Sequence, residues 1–203
     1  MGIDIRDLEA IRRFGGPWRG QDCMILGDCT FHVPGLDLVG FAKECGFRSA
    51  STIDIAGHPT FKVDLTKVPE DLQGRFGIVI DSGTLYCCLD VIAAWRGALS
   101  LLDATGGILH TAGLTGYFGR CYYSFSPRLF RDFYAECGFM ITRMAVRATR
   151  SSDDRMIDIE VDDIFSVDSS SELIRFGPQF EGHIRVLPAD AQIICEARRR
   201  TSG

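Results

Sequence analysis

The chain has no long hydrophobic run. Nowhere do apolar residues approach the ~20 in succession that a membrane-spanning helix needs. Its opening, Met1-Gly-Ile-Asp-Ile-Arg-Asp-Leu-Glu9, carries charge where a secretory leader needs an apolar centre. Arg6 also stands where a myristoylation signal needs Ser or Thr. A cytoplasmic protein without a membrane partner is expected. Positive charge is short as well: 22 Lys and Arg against 27 Asp and Glu give a net charge of −5. That balance argues against sequence-independent nucleic-acid binding, which relies on clustered basic residues. The one basic run, Arg198-Arg199-Arg200, reads as a solvated tail.

Motifs are missing too. No Walker pattern is present, so a phosphate cradle is not expected. No Gly-x-Gly-x-x-Gly follows the first strand, which weakens a nicotinamide-dependent oxidoreductase. Cysteine is plentiful, at 8 residues, but shows no Cys-x-x-Cys or paired ligand spacing. Cys23, Cys45, Cys137 and Cys195 fall inside apolar segments, where a free thiol behaves as a small hydrophobe. Reduced core thiols are therefore expected, with neither disulfides nor a metal.

What is present suits an ordinary globular protein: 203 residues, 46% hydrophobic and 24% charged. One domain over 1–203 is expected, with an N-terminal helix and linker over 1–19, an α/β core over 20–147 and C-terminal strands and loops over 148–203. Ile3, Ile5, Leu8, Ile11 and Phe14 give a helical spacing that Gly15-Gly16-Pro17 stops; a packed helix is favoured over a lid. Cys23 to Leu26 and Ile78 to Ile80 are continuous apolar runs, which fit parallel strands buried on both faces. Phe47 to Ile55 and Thr60 to Val63 read as further strands. Leu36 to Cys45, Cys88 to Leu102 and the stretch after Ser126-Pro127 read as helices. Ile108 to Ala112, Phe139 to Val146, Met156 to Val161, Ile184 to Leu187 and Ile193 to Ala197 follow as strands, Met156 to Val161 alternating as an edge element would. Glu44-Cys-Gly-Phe47 and Glu136-Cys-Gly-Phe139 mark two similar helix-to-strand junctions. The fold class is α/β, a doubly wound, mostly parallel sheet with helices on both faces and one antiparallel strand near the C-terminus.

Four strands in this reading end alike: at Gly27-Asp28, at Asp54, at Asp64-Leu65 and at Asp81-Ser82-Gly83. In a parallel sheet these ends share one edge, where ligands bind. A row of carboxylates without Lys or Arg fits a nucleoside, whose ribose hydroxyls donate to carboxylates. A strand-end Asp also caps turns, so any single one of the four is unremarkable.

Ser51-Thr-Ile-Asp54, Val63-Asp-Leu65, Ile78-Val-Ile-Asp-Ser-Gly-Thr-Leu85, Gly106-Gly-Ile-Leu-His110 and Tyr123-Ser-Phe-Ser-Pro-Arg-Leu-Phe-Arg-Asp-Phe-Tyr134 together resemble class I S-adenosylmethionine-dependent methyltransferases. The likeness covers roughly residues 20–147 and is closest to small bacterial methyltransferase-domain proteins found beside saccharide or secondary-metabolite genes. It implies S-adenosylmethionine as cofactor. Asp54 would then bind the ribose hydroxyls with Ile55 beside it in the cofactor site, Asp64 and Leu65 would flank the adenine, and Asp81, Ser82 and Gly83 would pass beside the methionine part and the transferring methyl. Gly27 and Asp28 would let the backbone approach the amino-acid end.

Two departures stand out. The family's Gly-x-Gly first turn here reads Leu26-Gly-Asp-Cys-Thr-Phe31, with one glycine, so Thr30 and Phe31 are expected to crowd the methionine end. Its Thr-Leu-Glu-His is altered to Thr84-Leu-Tyr-Cys87, which removes an acid–base pair. Methyl transfer needs orientation first and a base only for a protonated acceptor. The candidates for proton transfer are Tyr86, His110, Tyr117 and Tyr123, with His110 equally readable as a satisfied core histidine. Tyr117, Phe118, Tyr122, Tyr123 and Phe125 read as an acceptor-pocket lining or as core. His32, His58 and His183 lack a context favouring function, and Cys87-Cys88 reads as packing.

The reading is methyl transfer to a small-molecule acceptor by a monomer or homodimer. The alternatives are another S-adenosylmethionine-dependent alkylation or cyclisation, and a non-catalytic binding or scaffold domain.

Overall fold

The structure is a computed structural model and describes residues 2–115, 121–150, 155–161 and 191–200. Tyr117, Phe118, His183 and the expected strand at 184–187 lie outside them. The short strand β1 (Gly2–Ile3) leads into helix α1 (Ile5–Phe14), whose start is fixed by a reciprocal Asp4–Asp7 cap. Strands β2 (Asp22–Leu26) and β3 (Thr30–Phe31), helix α2 (Leu38–Cys45), and strands β4 (Ser49–Asp54), β5 (Phe61–Lys62) and β6 (Phe76–Asp81) follow. Helix α3 (Val91–Ser100), strand β7 (Leu102–Gly113), helix α4 (Pro127–Glu136) and strands β8 (Phe139–Arg150), β9 (Arg155–Glu160) and β10 (Gln192–Arg199) complete the order. Among the described residues, no helix is long and apolar enough to cross a membrane.

The main sheet has the order β5-β4-β2-β6-β7-β10-β8-β9, with β1 pairing parallel to β3 apart from it. The first five strands run parallel, and β10 enters antiparallel between β7 and β8. The sequence predicts one antiparallel strand near the C-terminus; the sheet has two, because the alternating segment from Met156 pairs antiparallel to β8 as edge strand β9. Arg143 and Arg147 anchor that edge by donating to Glu160 at 2.7 Å and to Asp158 at 2.9 Å.

Alternation explains the layers. Cys23, Ile25, Ile78 and Ile80 face α1 and α2, whereas Met24, Leu26 and Val79 face α3 and α4. Because both faces are covered, the strands carry no polar side, and the apolar runs follow. The two repeated junctions hold: Gly46 and Gly138 sit at φ +76° and +74°, the left-handed conformation that ends a helix at low cost. The basic run is a solvated tail only in part: Arg198 and Arg200 are exposed, and Arg199 is not. Arg199 lies in β10 and donates to the carbonyls of Asp103 (2.9 Å) and Leu99 (3.0 Å), with its guanidinium 5.1 Å from the Phe139 ring centroid. Its guanidinium thus bridges the last turn of α3 and the start of β7.

Candidate functional site

The sheet order reverses between β2 and β6, since the chain moves outward through β4 and β5 and then returns to β6 and β7. Register pairs Leu26 with Ile53 on one side and with Asp81 on the other, so the carboxyl ends of β2, β4 and β6 stand level. Beyond them open two cavities, of about 430 Å³ and about 520 Å³, which meet at Cys87.

Asp54, Ile55, Asp64 and Leu65 all line the first cavity, together with Thr84, Cys88 and Leu89. The Asp54 carboxylate accepts from the Asp28 backbone N–H at 2.8 Å and from Ala56 at 3.1 Å, one bond per oxygen. Each oxygen keeps a lone pair for a hydroxyl donor. Asp64 accepts from the Thr66 N–H at 2.9 Å, and that bond holds its carboxyl below the usual range. Three large apolar side chains stand exposed around the mouth: Ile55 at 65%, Leu89 at 73% and Tyr122 at 66%. Neither cavity is lined by Lys or Arg among the described residues.

Ser82, Gly83 and Tyr86 line the second cavity. Gly83 has φ +93°, and a Cβ there would meet the Tyr86 hydroxyl at 2.6 Å, so the turn requires glycine on two counts. Asp7, Thr111 and Gln192, which are not among the expected site residues, face the same space, and so does His32, to which the sequence gives no functional context. Asp7 had a signal: it is an acid on the buried stripe of α1, in step with Ile11 and Phe14. Burial raises its carboxyl, the Asp4 charge adds to that, and the Arg147 guanidinium at 2.9 Å opposes it. The crevice is also crossed by the N-terminus, where Ser82 Oγ donates to the Gly2 carbonyl at 3.0 Å.

Five expected site residues fall elsewhere. Gly27, at φ +90°, and Asp28 line neither cavity, because the Asp28 carboxylate is turned onto the His58 N–H at 2.9 Å. Asp81 and His110 are fully buried and bonded to each other, Oδ2 to Nδ1, at 2.8 Å. His110 Nε2 bonds the Tyr134 hydroxyl, which accepts the Trp95 indole N–H at 3.2 Å. The Asp81 carboxylate only accepts, which assigns the proton to Nδ1; in the neutral ring Nε2 then accepts from the Tyr134 hydroxyl. His110 is thus a satisfied core histidine. Asp81 Oδ1 meanwhile accepts from the N–H groups of Thr84 (2.7 Å) and Leu85 (3.3 Å), and Thr84 Oγ1 donates to the Leu26 carbonyl at 2.7 Å. Tyr123 also lines neither cavity, and its hydroxyl donates to the Leu89 carbonyl at 2.7 Å. Phe125 packs in the core against Trp95, with ring centroids 5.4 Å apart.

Solved structures share this architecture. One is an S-adenosylmethionine-dependent methyltransferase from Archaeoglobus fulgidus, with a TM-score of 0.60 at 12% identity, over 95% of this chain and 92% of that one. The fold is that of S-adenosylmethionine-dependent methyltransferases. A second is the Burkholderia thailandensis 1,6-didemethyltoxoflavin-N1-methyltransferase with bound 1,6-didemethyltoxoflavin and S-adenosylhomocysteine, with a TM-score of 0.52 at 13% identity over 97% and 80% of the two chains. A third is the [4+2]-cyclase SpnF, with a TM-score of 0.54 at 13% identity over 97% and 81%. No protein-family model and no curated protein matches the chain. At these identities the shared property is the fold.

Proposed function

We propose that the protein binds S-adenosylmethionine in the first cavity and transfers its methyl group to a small-molecule acceptor held in the second. One observation carries the reading: a crevice at the sheet's reversal point combines Asp54 and Asp64 with exposed apolar Ile55, Leu89 and Tyr122, and no Lys or Arg lines it among the described residues. That combination suits a phosphate-free nucleoside with a cationic group attached. When bound, the cofactor supplies an electrophilic methyl group on a sulfonium.

The chain's own residues then divide the work. The free lone pairs of Asp54 would take the ribose hydroxyls, and Leu65 and Ile55 would cover the base. Cys87, where the cavities meet, and Gly83 beside it in the second would border the transfer path. The acceptor would meet Asp7, Thr111 and Gln192, a hydrogen-bonding wall suited to a polar compound. Tyr86, 8% exposed, is the candidate closest to the path for holding a proton.

Calorimetric titration with S-adenosylmethionine and S-adenosylhomocysteine, repeated with Asp54→Ala, tests this. Micromolar binding that weakens tenfold or more in the variant, about 1.4 kcal/mol or more, is the expected result. No binding of either ligand by the folded protein would overturn the proposal and leave a non-catalytic scaffold. A second reading, cyclisation or another alkylation, is favoured by the replacement of the Glu-His pair by Tyr86-Cys87 and by the cyclase among the structural neighbours.

A further inference from the structure

Among the eight thiols, one pair stands out. The Sγ atoms of Cys87 and Cys121 lie 3.2 Å apart, inside ordinary sulfur–sulfur contact, and both residues line the second cavity. Cys87 is exposed and Cys121 half-buried, so a reagent can reach them. Backbone bonds already hold the two segments together: Tyr122 N–H and Tyr123 N–H both donate to the Tyr86 carbonyl, at 3.0 and 3.2 Å. The Tyr123 hydroxyl adds its bond to Leu89. A disulfide needs the sulfurs at about 2.05 Å, so the closing movement is about 1.2 Å, within reach of two χ1 rotations. The neighbouring Cys88 points elsewhere, its Sγ 3.6 Å from the Thr84 carbonyl.

We propose that Cys87 and Cys121 are a redox pair, oxidised reversibly to a disulfide that staples residues 121–123 across the rim where the two cavities meet. The oxidant is a low-molecular-weight disulfide such as oxidised glutathione. The Cys87 thiolate attacks one glutathione sulfur and releases one glutathione thiolate. The Cys121 thiolate then attacks the Cys87 sulfur of the mixed disulfide and releases the second. The two protein thiols give up two electrons and two protons, and one glutathione disulfide becomes two glutathione thiols. Burial, and then the facing Cys121, push the Cys87 thiol up to about 12, so little thiolate exists at neutral pH. Exchange is therefore slow and speeds up about tenfold per pH unit between 7 and 9. The staple also fixes Tyr122 at the mouth of the first cavity, so oxidation should slow ligand release; this consequence rests on the nucleoside reading proposed above.

The test incubates the full chain in glutathione buffers of graded reduced-to-oxidised ratio, traps free thiols and maps the peptides by mass spectrometry. A linkage joining residues 87 and 121 that vanishes on reduction, survives in Cys88→Ser and is lost in Cys87→Ser and Cys121→Ser is expected. The bridge closes a loop over 34 positions, so the oxidised chain should melt about 5–10 °C higher than the reduced chain. No linkage at any ratio, or a bond between residues 87 and 88 instead, would overturn the pair. Release of S-adenosylhomocysteine at least threefold slower from the oxidised form supports the gating, and equal release refutes it. Failure of the reduced protein to bind S-adenosylhomocysteine would instead count against the proposed function, while the mass and melting results judge the pair independently.

Discussion

Replacing Asp81 by Asn separates a scaffold role from a ligand-binding one. Asp81 is fully buried and takes three hydrogen bonds, two from the Thr84–Leu85 backbone on Oδ1 and one from His110 on Oδ2. In Asp81→Asn the carboxamide oxygen can still accept the two backbone bonds, but its NH₂ then faces His110 Nδ1–H, donor against donor. Moving the imidazole proton to Nε2 relieves that clash, yet it turns a second donor onto the Tyr134 hydroxyl, which already receives Trp95 N–H. The tyrosine proton is then left buried without an acceptor. Loss of one hydrogen bond to a charged group costs about 1.5–3 kcal/mol. For a chain of this size that lowers the melting temperature by about 4–10 °C. Tyr134→Phe breaks the same chain from the other end, so the double variant should fall short of the sum by about 1 kcal/mol or more. Thermal melts measure both effects, and calorimetry should find affinity for S-adenosylhomocysteine within about threefold of the parent, unlike Asp54→Ala. Melting within about 1 °C of the parent, or additive effects, would refute the hydrogen-bond chain. A tenfold loss of affinity at unchanged stability would mean that Asp81 touches the ligand after all.

Two further outcomes follow from particular contacts. A Cβ at Gly97 in α3 would run into the Leu65 carbonyl oxygen, so Gly97→Ala should gain about 1 kcal/mol of helix propensity and lose about 1–3 kcal/mol to overpacking. Because Leu65 lines the first cavity, nucleoside affinity should drop severalfold; a raised melting temperature with unchanged affinity would contradict this. Asp22 is held below its ordinary range chiefly by hydrogen bonds from Arg48, one of them at 2.8 Å. A lowered carboxyl pKa contributes stability above about pH 3.9 and loses it as pH falls through the folded-state value. Arg48→Met should therefore melt lower than the parent at pH 6, with the gap closing as pH falls through the lowered folded-state value, and a deficit constant with pH would exclude the linkage.

How far the sequence carries depends on what each feature needs. Ile78 to Ile80 and Cys23 to Leu26 announce buried strands because a strand covered on both faces has no polar side. Asp54 and Asp64 could be placed because strand ends sit at predictable points in a parallel sheet, and both line the first cavity. Gly46 and Gly138 could be read from the helix stop each supplies. Strand β1 could not, since two residues carry no period and the pairing of Gly2 with Thr30 is a long-range choice. The same limit hid Asp7, which reaches the second cavity only because α1 packs against β7. Asp81 shows the complementary failure. Its place at the strand end was legible, but the direction of its carboxylate depends on His110, 29 residues away, and on Tyr134 beyond it.

That inward carboxylate explains how the crevice keeps its shape. The turn over Leu85–Cys87 is three residues of 3₁₀ helix, far too short to persist alone. Its position comes from Asp81 Oδ1, which gathers the Thr84 and Leu85 N–H groups, and from Thr84 Oγ1, which ties the turn to the end of β2. Asp81 in turn is oriented by His110 on β7, and His110 by Tyr134 on α4, itself bonded to Trp95 on α3. Five elements of the core, β2, β6, β7, α3 and α4, therefore fix one short turn, and that turn carries Tyr86 and Cys87 to the two cavities. Where the resembled family has a Glu-His pair in the turn, this chain has Tyr86 and Cys87 there and keeps its carboxylate and imidazole one layer deeper, bonded to each other. The acid–base groups of that layer are spent on holding the wall, so under the proposed reading methyl transfer would rest on orientation and on the groups that reach the second cavity from α1, β7 and the turn itself.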